Sequence, residues 1–259
     1  MNFLKIIGVF VIINTLSFQV YSIENETGYS FEYGKRLLLE TRDRIYNFDV
    51  FDTSVNLNLA RCNLIFSRQS NKQLGLYWNA KVSYLCGLVN MGKNDKKIAL
   101  SYFEESRSIL INIIKEYGEI SNAYTLLADV YVQLLWCKGL GYKLANLRKL
   151  KVYPEKALSL DPGNVRANNS LALFCIKAPQ TLGGNIDRAI ELLKSIDSDD
   201  KAEMFTTYYT LGTAYWQKND LDNAIKYMHL ALELYPNNKW VIDDLKLITE
   251  KYSSTQSTP

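Results

Sequence analysis

Two stripes of helically spaced residues between Phe205 and Asn238 constrain the fold of this chain more than any other feature. The first stripe repeats at i, i+3, i+4 and i+7 and consists of Tyr208, Leu211, Gly212 and Tyr215. After polar residues 218–220, the second stripe consists of Ala224, Met228 and Ala231 and is followed by Pro236. The spacing predicts two packed helices, because Gly212 and Ala224 have minimal side chains that allow close approach.

Related spacings recur along the chain. Residues 185–190 align with 220–225, and residues 157–164 align with 231–238. Tyr77, Ala80, Lys81 and Tyr84 align with the first stripe, so Lys81 takes the place of Gly212. With this alignment, the connection between the two helices of that pair is about six residues longer than in the repeat at 205–238. Tyr124, Leu127, Ala128 and Tyr131 form another such set. This self-similarity predicts a solenoid of stacked helix pairs.

The two stripes resemble the tetratricopeptide repeat (TPR) signature W-x2-L-G-x2-Y, A-x3-F and P, with Tyr208 in place of Trp and Met228 in place of Phe. The resemblance covers about Leu74 to Lys251. It implies an all-α fold, a right-handed superhelical solenoid of antiparallel helix pairs whose first helices line a concave groove. Such a groove usually holds an extended peptide or a helix of a partner protein.

Four segments follow from this reading. Residues 1–22 are predicted as a signal peptide, and 23–70 as an N-terminal helix pair that forms a degenerate repeat. Residues 71–252 are predicted as TPR-like repeats with insertions plus a capping helix, with Ile242, Leu245 and Ile248 on its inner face. Residues 253–259 are predicted as a flexible tail.

The first residues are typical of an export signal. One positive charge in residues 1–5 precedes an apolar run at 6–16, and Val20 to Ser22 offers a cleavage context. The sequence therefore predicts export to the periplasm, with membrane anchoring by residues 6–18 as the alternative. The whole chain has a formal net charge of +3, and removing residues 1–22 leaves +3 − 1 = +2. This balance gives no indication of nucleic-acid binding.

Catalysis, a metal site and a cofactor are not expected. His229 is the single histidine and has no nucleophile motif or second ligand nearby. The four cysteines have no metal-ligand spacing. Buried, unpaired cysteines are the ordinary interpretation in helices, and disulfide pairing in an oxidising compartment is the alternative.

The resemblance places a partner-binding groove on the first helices. It implies a mixed aromatic and polar surface made by Trp78, Asn122, Thr125, Asp129, Gln133, Arg166, Asn169, Lys177, Thr206, Tyr209, Thr213, Trp216 and Gln217. TPR proteins that grip a C-terminal carboxylate use Lys, Asn and Arg at fixed places, where this chain largely has Thr, Tyr, Ser and Leu, so no carboxylate clamp is predicted. The function predicted is a protein–protein interaction adaptor or scaffold of the cell envelope.

Two alternatives remain. The irregular middle, Lys138 to Asn185, could make the chain an enzyme or a small-ligand binder, which a closed polar pocket with converging acids or amides there would favour over an open groove. The chain could also be a structural subunit of a membrane-associated assembly. The basic segment Lys138 to Lys156 could contact anionic lipid, but a solvated helix face is the ordinary interpretation and membrane contact is not favoured.

Overall fold

The computed structural model describes the backbone of residues 30–256 and the side chains of residues 30–253. The predicted signal peptide and residues 257–259 lie outside this part. The helices are α1 (Phe31–Tyr46), α2 (Thr53–Ser67), α3 (Lys72–Gly92), α4 (Lys96–Tyr117), α5 (Ser121–Cys137), α6 (Leu140–Asn146), α7 (Lys149–Leu160), α8 (Val165–Lys177), a 3-10 turn (Gln180–Leu182), α9 (Ile186–Lys194), α10 (Lys201–Gln217), α11 (Leu221–Leu234) and α12 (Lys239–Gln256). Within residues 30–256, no helix has both the length and the apolar character needed to cross a membrane.

Successive helices pack as pairs, and the pairs stack on one another. The pairs are α1/α2, α3/α4, α5/α7, α8/α9 and α10/α11, with α6 inserted in the third pair and α12 packed on α11. The first helices also contact each other in the order α1, α3, α5, α8 and α10 and form an inner layer. The prediction of an all-helical solenoid of helix pairs with a C-terminal capping helix is confirmed.

Capping side chains set the helix starts. The side chains of Asp95, Asn185 and Asp220 each accept a hydrogen bond from a backbone N–H in the first turn of α4, α9 and α11, as predicted for such residues. The far end of α12 differs from the prediction: residues 253–256 are helical and do not begin a tail. In α12 Val241 and Ile248 are buried, whereas Ile242 is exposed.

The register predicted for the second pair is wrong. A Cβ atom on Gly212 would lie 3.0 Å from Met228, and a Cβ on Gly87 would overlap the ring of Phe103 in the same way. Gly87 lies twelve residues before Ala99 (99 − 87 = 12), as Gly212 lies before Ala224 (224 − 212 = 12). Gly87, and not Lys81, therefore takes the place of Gly212, and the α3–α4 connection is not lengthened.

The N-terminal helix pair closes the solenoid by docking onto its C-terminal repeat. The Tyr46 ring lies 5.6 Å from the Phe205 ring and 5.7 Å from the Tyr235 ring, and Phe48 packs against Trp240. The inner helices thus surround an enclosed space. These contacts join residues more than 150 positions apart, so no local pattern in the sequence predicts them.

Asparagine side chains fix this closure. The Asn238 amide donates to the Tyr46 carbonyl at 2.6 Å, while its oxygen accepts from Val241 N at 3.1 Å and caps α12. Asn164, at the matching place of an earlier repeat, caps α8 and donates to Ser121 Oγ at 2.8 Å. Asparagine at one repeat position therefore ties these two repeats to an inner helix, which is α5 for Asn164 and α1 for Asn238.

We expect Asn238→Asp to loosen α1 selectively, because aspartate keeps the capping acceptor and loses the donor to Tyr46. The free energy of unfolding should fall by about 1 kcal/mol. Hydrogen exchange should accelerate in α1 more than in α8. The matched variant Asn164→Asp should leave α1 exchange unchanged. Equal acceleration of α1 in both variants would contradict a closure held by Asn238.

Candidate functional site

The inner layer encloses a partly open cavity of about 130 Å³. Helices α1, α3, α5, α8 and α10 all contribute to its wall. The lining residues are Arg42, Tyr46, Lys81, Tyr84, Asp129, Arg166, Asn169, Ser170, Leu173, Asp200, Ala202, Glu203, Thr206 and Thr210. The volume suits a single side chain or a small polar molecule.

Two ion pairs stabilise this wall. Arg166 Nε lies 2.5 Å from Asp129 Oδ2, and the Ser170 hydroxyl donates to the other oxygen of Asp129 at 2.8 Å. Burial disfavours the charge of Arg166, but the combined electrostatic interactions with Asp129 and with the nearby tyrosines Tyr46, Tyr84 and Tyr77 outweigh it and raise the pKa of the guanidinium. The ion pair therefore compensates the buried positive charge of Arg166.

The second ion pair bridges the closure. Arg42 Nη1 in α1 donates to Asp200 Oδ2 at 2.9 Å, and Asp200 also accepts from Ala202 N at 2.8 Å as the N-cap of α10. Burial alone would raise the pKa of Asp200, but the hydrogen bond and positive charge of Arg42, together with the backbone N–H groups of Ala202 and Glu203, lower it. Asp200 therefore does more than cap a helix, because it also anchors α1 against α10.

Lys81 differs from the two arginines. It is 9% exposed, and its ammonium group has no hydrogen bond or ion pair with any residue in the described part of the chain. Its nitrogen lies 4.9 Å from the centre of the Trp78 ring. Burial, together with the positive charges of Arg166 and Arg42, lowers the pKa of Lys81 to about 7. The amine is therefore poised between its charged and neutral forms near neutral pH.

Glu203 provides the remaining charge. Its carboxylate accepts a hydrogen bond from Ser198 Oγ at 2.8 Å and forms no ion pair with a described residue. The wall thus carries three cations and three carboxylates, of which two of each are paired. A guest carboxylate beside Lys81 would give its ammonium the ion pair that it lacks, since an unpaired buried ammonium is unfavourable. The chemistry available is recognition of an anion by one free ammonium group.

The predicted groove residues fall into three groups. Asp129, Arg166, Asn169 and Thr206 line the cavity. Trp78, Thr125 and Thr213 are buried and do not lie on a groove surface. The rest lie outside the cavity wall, either exposed or partly buried: Asn122, Gln133, Lys177, Tyr209, Trp216 and Gln217.

Two of these placements have clear physical causes. Trp78 was assigned to the groove through the wrong register of α3, and it packs between Phe31 and Phe66 at ring distances of 6.0 and 5.5 Å. Tyr209 donates its hydroxyl to Asp244 at 2.7 Å, so the capping helix α12 lies against it. Neither ring is a free anchor for a partner.

Sequence reasoning missed Arg42, Lys81, Tyr84, Asp200 and Glu203. A signal existed for two of them. With Gly87 in the place of Gly212, Lys81 corresponds to Thr206 and Tyr84 to Tyr209, which are both predicted groove positions. The other three depend on the closure, for which the sequence contains no local signal.

The irregular middle, Lys138 to Asn185, which was the alternative ligand site, contributes to the cavity through α8 alone. Segments 138–160 and 178–185 supply no lining residue, whereas α8 supplies four. Among the described residues, no group of three His, Cys, Asp or Glu side chains is arranged to hold a metal ion. All four cysteines are free thiols, with Cys62 and Cys175 buried.

Comparisons with known proteins identify one repeat. Residues 205–238 match the family described as "Tetratricopeptide repeat". None of the curated protein sequences compared with the chain matches it.

Three solved structures have a similar overall arrangement, each at low identity. NprR in complex with its cognate peptide NprX is 16% identical, with 92% of this chain and 67% of that chain covered and a TM-score of 0.47. The apo quorum sensor NprR from B. thuringiensis is 17% identical, with 96% and 67% covered and a TM-score of 0.40. YrrB, a TPR protein with an unusual peptide-binding site, is 18% identical, with 84% and 100% covered and a TM-score of 0.38.

We expect Lys81→Met to stabilise the empty protein, most strongly at low pH. The pKa of Lys81 is about 7 in the folded chain and 10.5 for a free lysine, so the unfolded chain binds the extra proton across this window. The destabilising effect of Lys81 is therefore full below pH 7 and disappears as the pH rises to about 10.

Urea denaturation at about pH 6 and pH 9 measures this difference. Since one pKa unit corresponds to about 1.4 kcal/mol, the pKa difference of 10.5 − 7 = 3.5 units gives a gain in the free energy of unfolding of at most about 5 kcal/mol at the lower pH. The remaining 10.5 − 9 = 1.5 units leave a gain of at most about 2 kcal/mol at the higher pH. Lys72→Met, at an exposed position of the same helix, is the matched control. A gain independent of pH would mean that the charge of Lys81 is not the cause.

Proposed function

We propose that this chain, which contains a tetratricopeptide repeat at residues 205–238, is an interaction adaptor that binds a segment of a partner protein on its inner face. One acidic side chain of that segment enters the cavity and pairs with Lys81. The adaptor is non-catalytic: its site holds a carboxylate and does no chemistry on it.

The observation that carries this proposal is the unpaired ammonium of Lys81 in a cavity of side-chain size. Arg42 and Arg166 are already neutralised by Asp200 and Asp129, so their charges are not available to the same degree. A guest carboxylate would gain a charge-assisted hydrogen bond and remove an unfavourable buried charge. The surrounding ion pairs hold the wall rigid, which lowers the entropy lost on binding.

Asn169 and Thr206 give the cavity further polar selectivity. The amide oxygen of Asn169 accepts from the Thr207 hydroxyl at 3.1 Å, which fixes the side chain against the wall. The Thr206 hydroxyl donates to the Ala202 carbonyl at 2.8 Å and is partly exposed. The amide nitrogen of Asn169 donates one N–H to the Glu203 carbonyl at 3.5 Å and keeps a second N–H that can donate to a guest carboxylate. The Thr206 hydroxyl, whose hydrogen is engaged, can only accept a further hydrogen bond.

Binding of a carboxylate should depend on pH with a defined sign. An anion beside Lys81 favours the protonated amine, so its pKa rises above about 7 on binding and the complex takes up a proton. Affinity should be highest below pH 7 and should fall by about tenfold from pH 6 to pH 8. In Lys81→Met the affinity should be low and independent of pH over this range.

The partner can be found by photo-crosslinking in intact cells. A photo-reactive amino acid in place of Thr206 lies on the cavity wall, and the same substitution at exposed Thr181 is the control. We expect a specific protein to be captured from Thr206 only, through a segment that contains Asp or Glu. Lys81→Met should abolish the capture and Lys72→Met should leave it intact. Capture that survives Lys81→Met would contradict the proposed role of Lys81.

A second candidate is a small free carboxylate as the ligand, because the cavity volume of about 130 Å³ also suits such a molecule. Native mass spectrometry of the purified chain distinguishes the two. A small molecule retained by the native chain and lost in Lys81→Met favours this candidate, and a bare chain together with protein capture favours the adaptor.

We further propose that the adaptor acts in the cell envelope. This rests on the apolar run at residues 6–16 and the residues Val20 to Ser22 that follow it. N-terminal sequencing of the periplasmic fraction should find a chain that begins near residue 23. A chain that keeps Met1 and sediments with membranes would favour anchoring by residues 6–18, and recovery in the cytoplasm would contradict the proposal.

A further inference from the structure

The short helix α6 and the end of α5 present an apolar surface that the solenoid does not use. Trp136 is 65% exposed, Leu140 is 70% exposed and Leu144 is 72% exposed. Leu140 and Leu144 share one face of α6 because they are four residues apart. Lys143 joins this face to Trp136, with its nitrogen 5.9 Å from the centre of the Trp136 ring. These four residues are named the α6 patch.

Contacts on the opposite side of α6 hold the α6 patch in place. Tyr142, on the other side of α6, lies under the Lys138 ammonium at 4.2 Å and accepts a hydrogen bond from Arg107 at 3.4 Å. Asn146 donates to the Tyr142 carbonyl at 2.9 Å, and Leu147 packs on the core. The Tyr142 face of α6 therefore packs against the solenoid, and the opposite face with Leu140 and Leu144 is left exposed.

The charge around the α6 patch is positive. Residues 138–154 contain five cationic residues and no acidic residue. Lys138 pairs with Glu104, which Arg107 also neutralises, and Lys149 donates to the Tyr131 hydroxyl. Lys143 and Arg148 remain exposed, with no ion pair to another described residue. Two free cations thus flank three exposed apolar side chains.

We propose that the α6 patch docks on an anionic membrane surface. The patch consists of a few side chains that protrude from a short helix outside the helix pairs. A soft apolar surface can surround such side chains without a groove of matching shape. The boundary between headgroups and acyl chains offers such an acceptor, and tryptophan is favoured there because its ring is apolar and its N–H is polar. Anionic headgroups complement Lys143 and Arg148.

Vesicle co-sedimentation of the full chain tests this. With vesicles of equal parts phosphatidylglycerol and phosphatidylcholine, we expect binding at least tenfold tighter than with phosphatidylcholine alone. The double variant Leu140→Ser, Leu144→Ser should lose about tenfold, and Lys143→Gln, Arg148→Gln should remove the preference for anionic lipid. Phe51→Ser and Leu182→Ser, which change exposed apolar residues elsewhere, are matched controls and should bind as the native chain does.

All variants keep residues 1–22, so any binding by that segment is common to them and cancels in the comparison. Quenching by brominated lipid gives a direct readout, since Trp136 should be quenched and the quenching should be lost in Trp136→Phe. Equal vesicle binding by the leucine variant, or quenching that persists in Trp136→Phe, would overturn the proposal. Capture of an acidic protein by the patch without vesicle binding would also overturn it in favour of a protein partner.

Discussion

The docking of α1 onto the C-terminal repeat is the contact on which the rest of the site depends. Without it, the cavity wall would lose the contributions of Arg42 and Tyr46 from α1. With it, the Tyr46, Phe205 and Tyr235 rings exclude solvent from one side of the inner layer. Enclosure then lowers the local dielectric, so each charge in the cavity interacts more strongly with its neighbours.

The ion pair of Arg42 with Asp200 both compensates a buried charge and holds α1 against α10. Arg42 reaches from α1 to Asp200, and its neighbour Asp43 accepts a hydrogen bond from the Tyr235 hydroxyl at 2.8 Å. A buried guanidinium without its carboxylate would be strongly destabilising, so the ion pair and the docked position of α1 require each other. A ligand that strengthens the wall from inside would therefore also stabilise the N-terminal pair, and loss of α1 docking would weaken binding.

The sequence predicted the features that recur in each repeat. It did not predict the closure between α1 and the C-terminal repeat, which occurs once in the fold. The helix pairs followed from periodicity, and four cavity residues followed from the resemblance to tetratricopeptide repeats, because both depend on patterns that recur along the chain. The register of α3 was a recoverable error, since Gly87 and Ala99 have the same separation as Gly212 and Ala224. The closure was not recoverable, because the pairing of Arg42 with Asp200 joins residues 158 positions apart and leaves no periodic trace.

Lys81 and Thr206 occupy the same place in their repeats and make opposite contributions. The threonine satisfies its hydroxyl within its own helix, through the Ala202 carbonyl, and needs no partner. The lysine has no such internal acceptor, and its four-carbon stem brings a charge into a space already crossed by two guanidinium groups. Repulsion from Arg42 and Arg166 and loss of hydration both oppose that charge, whereas a methionine of similar shape would meet neither. Among the described wall residues, Lys81 is therefore the cation that no ion pair compensates, and a bound carboxylate would relieve that cost.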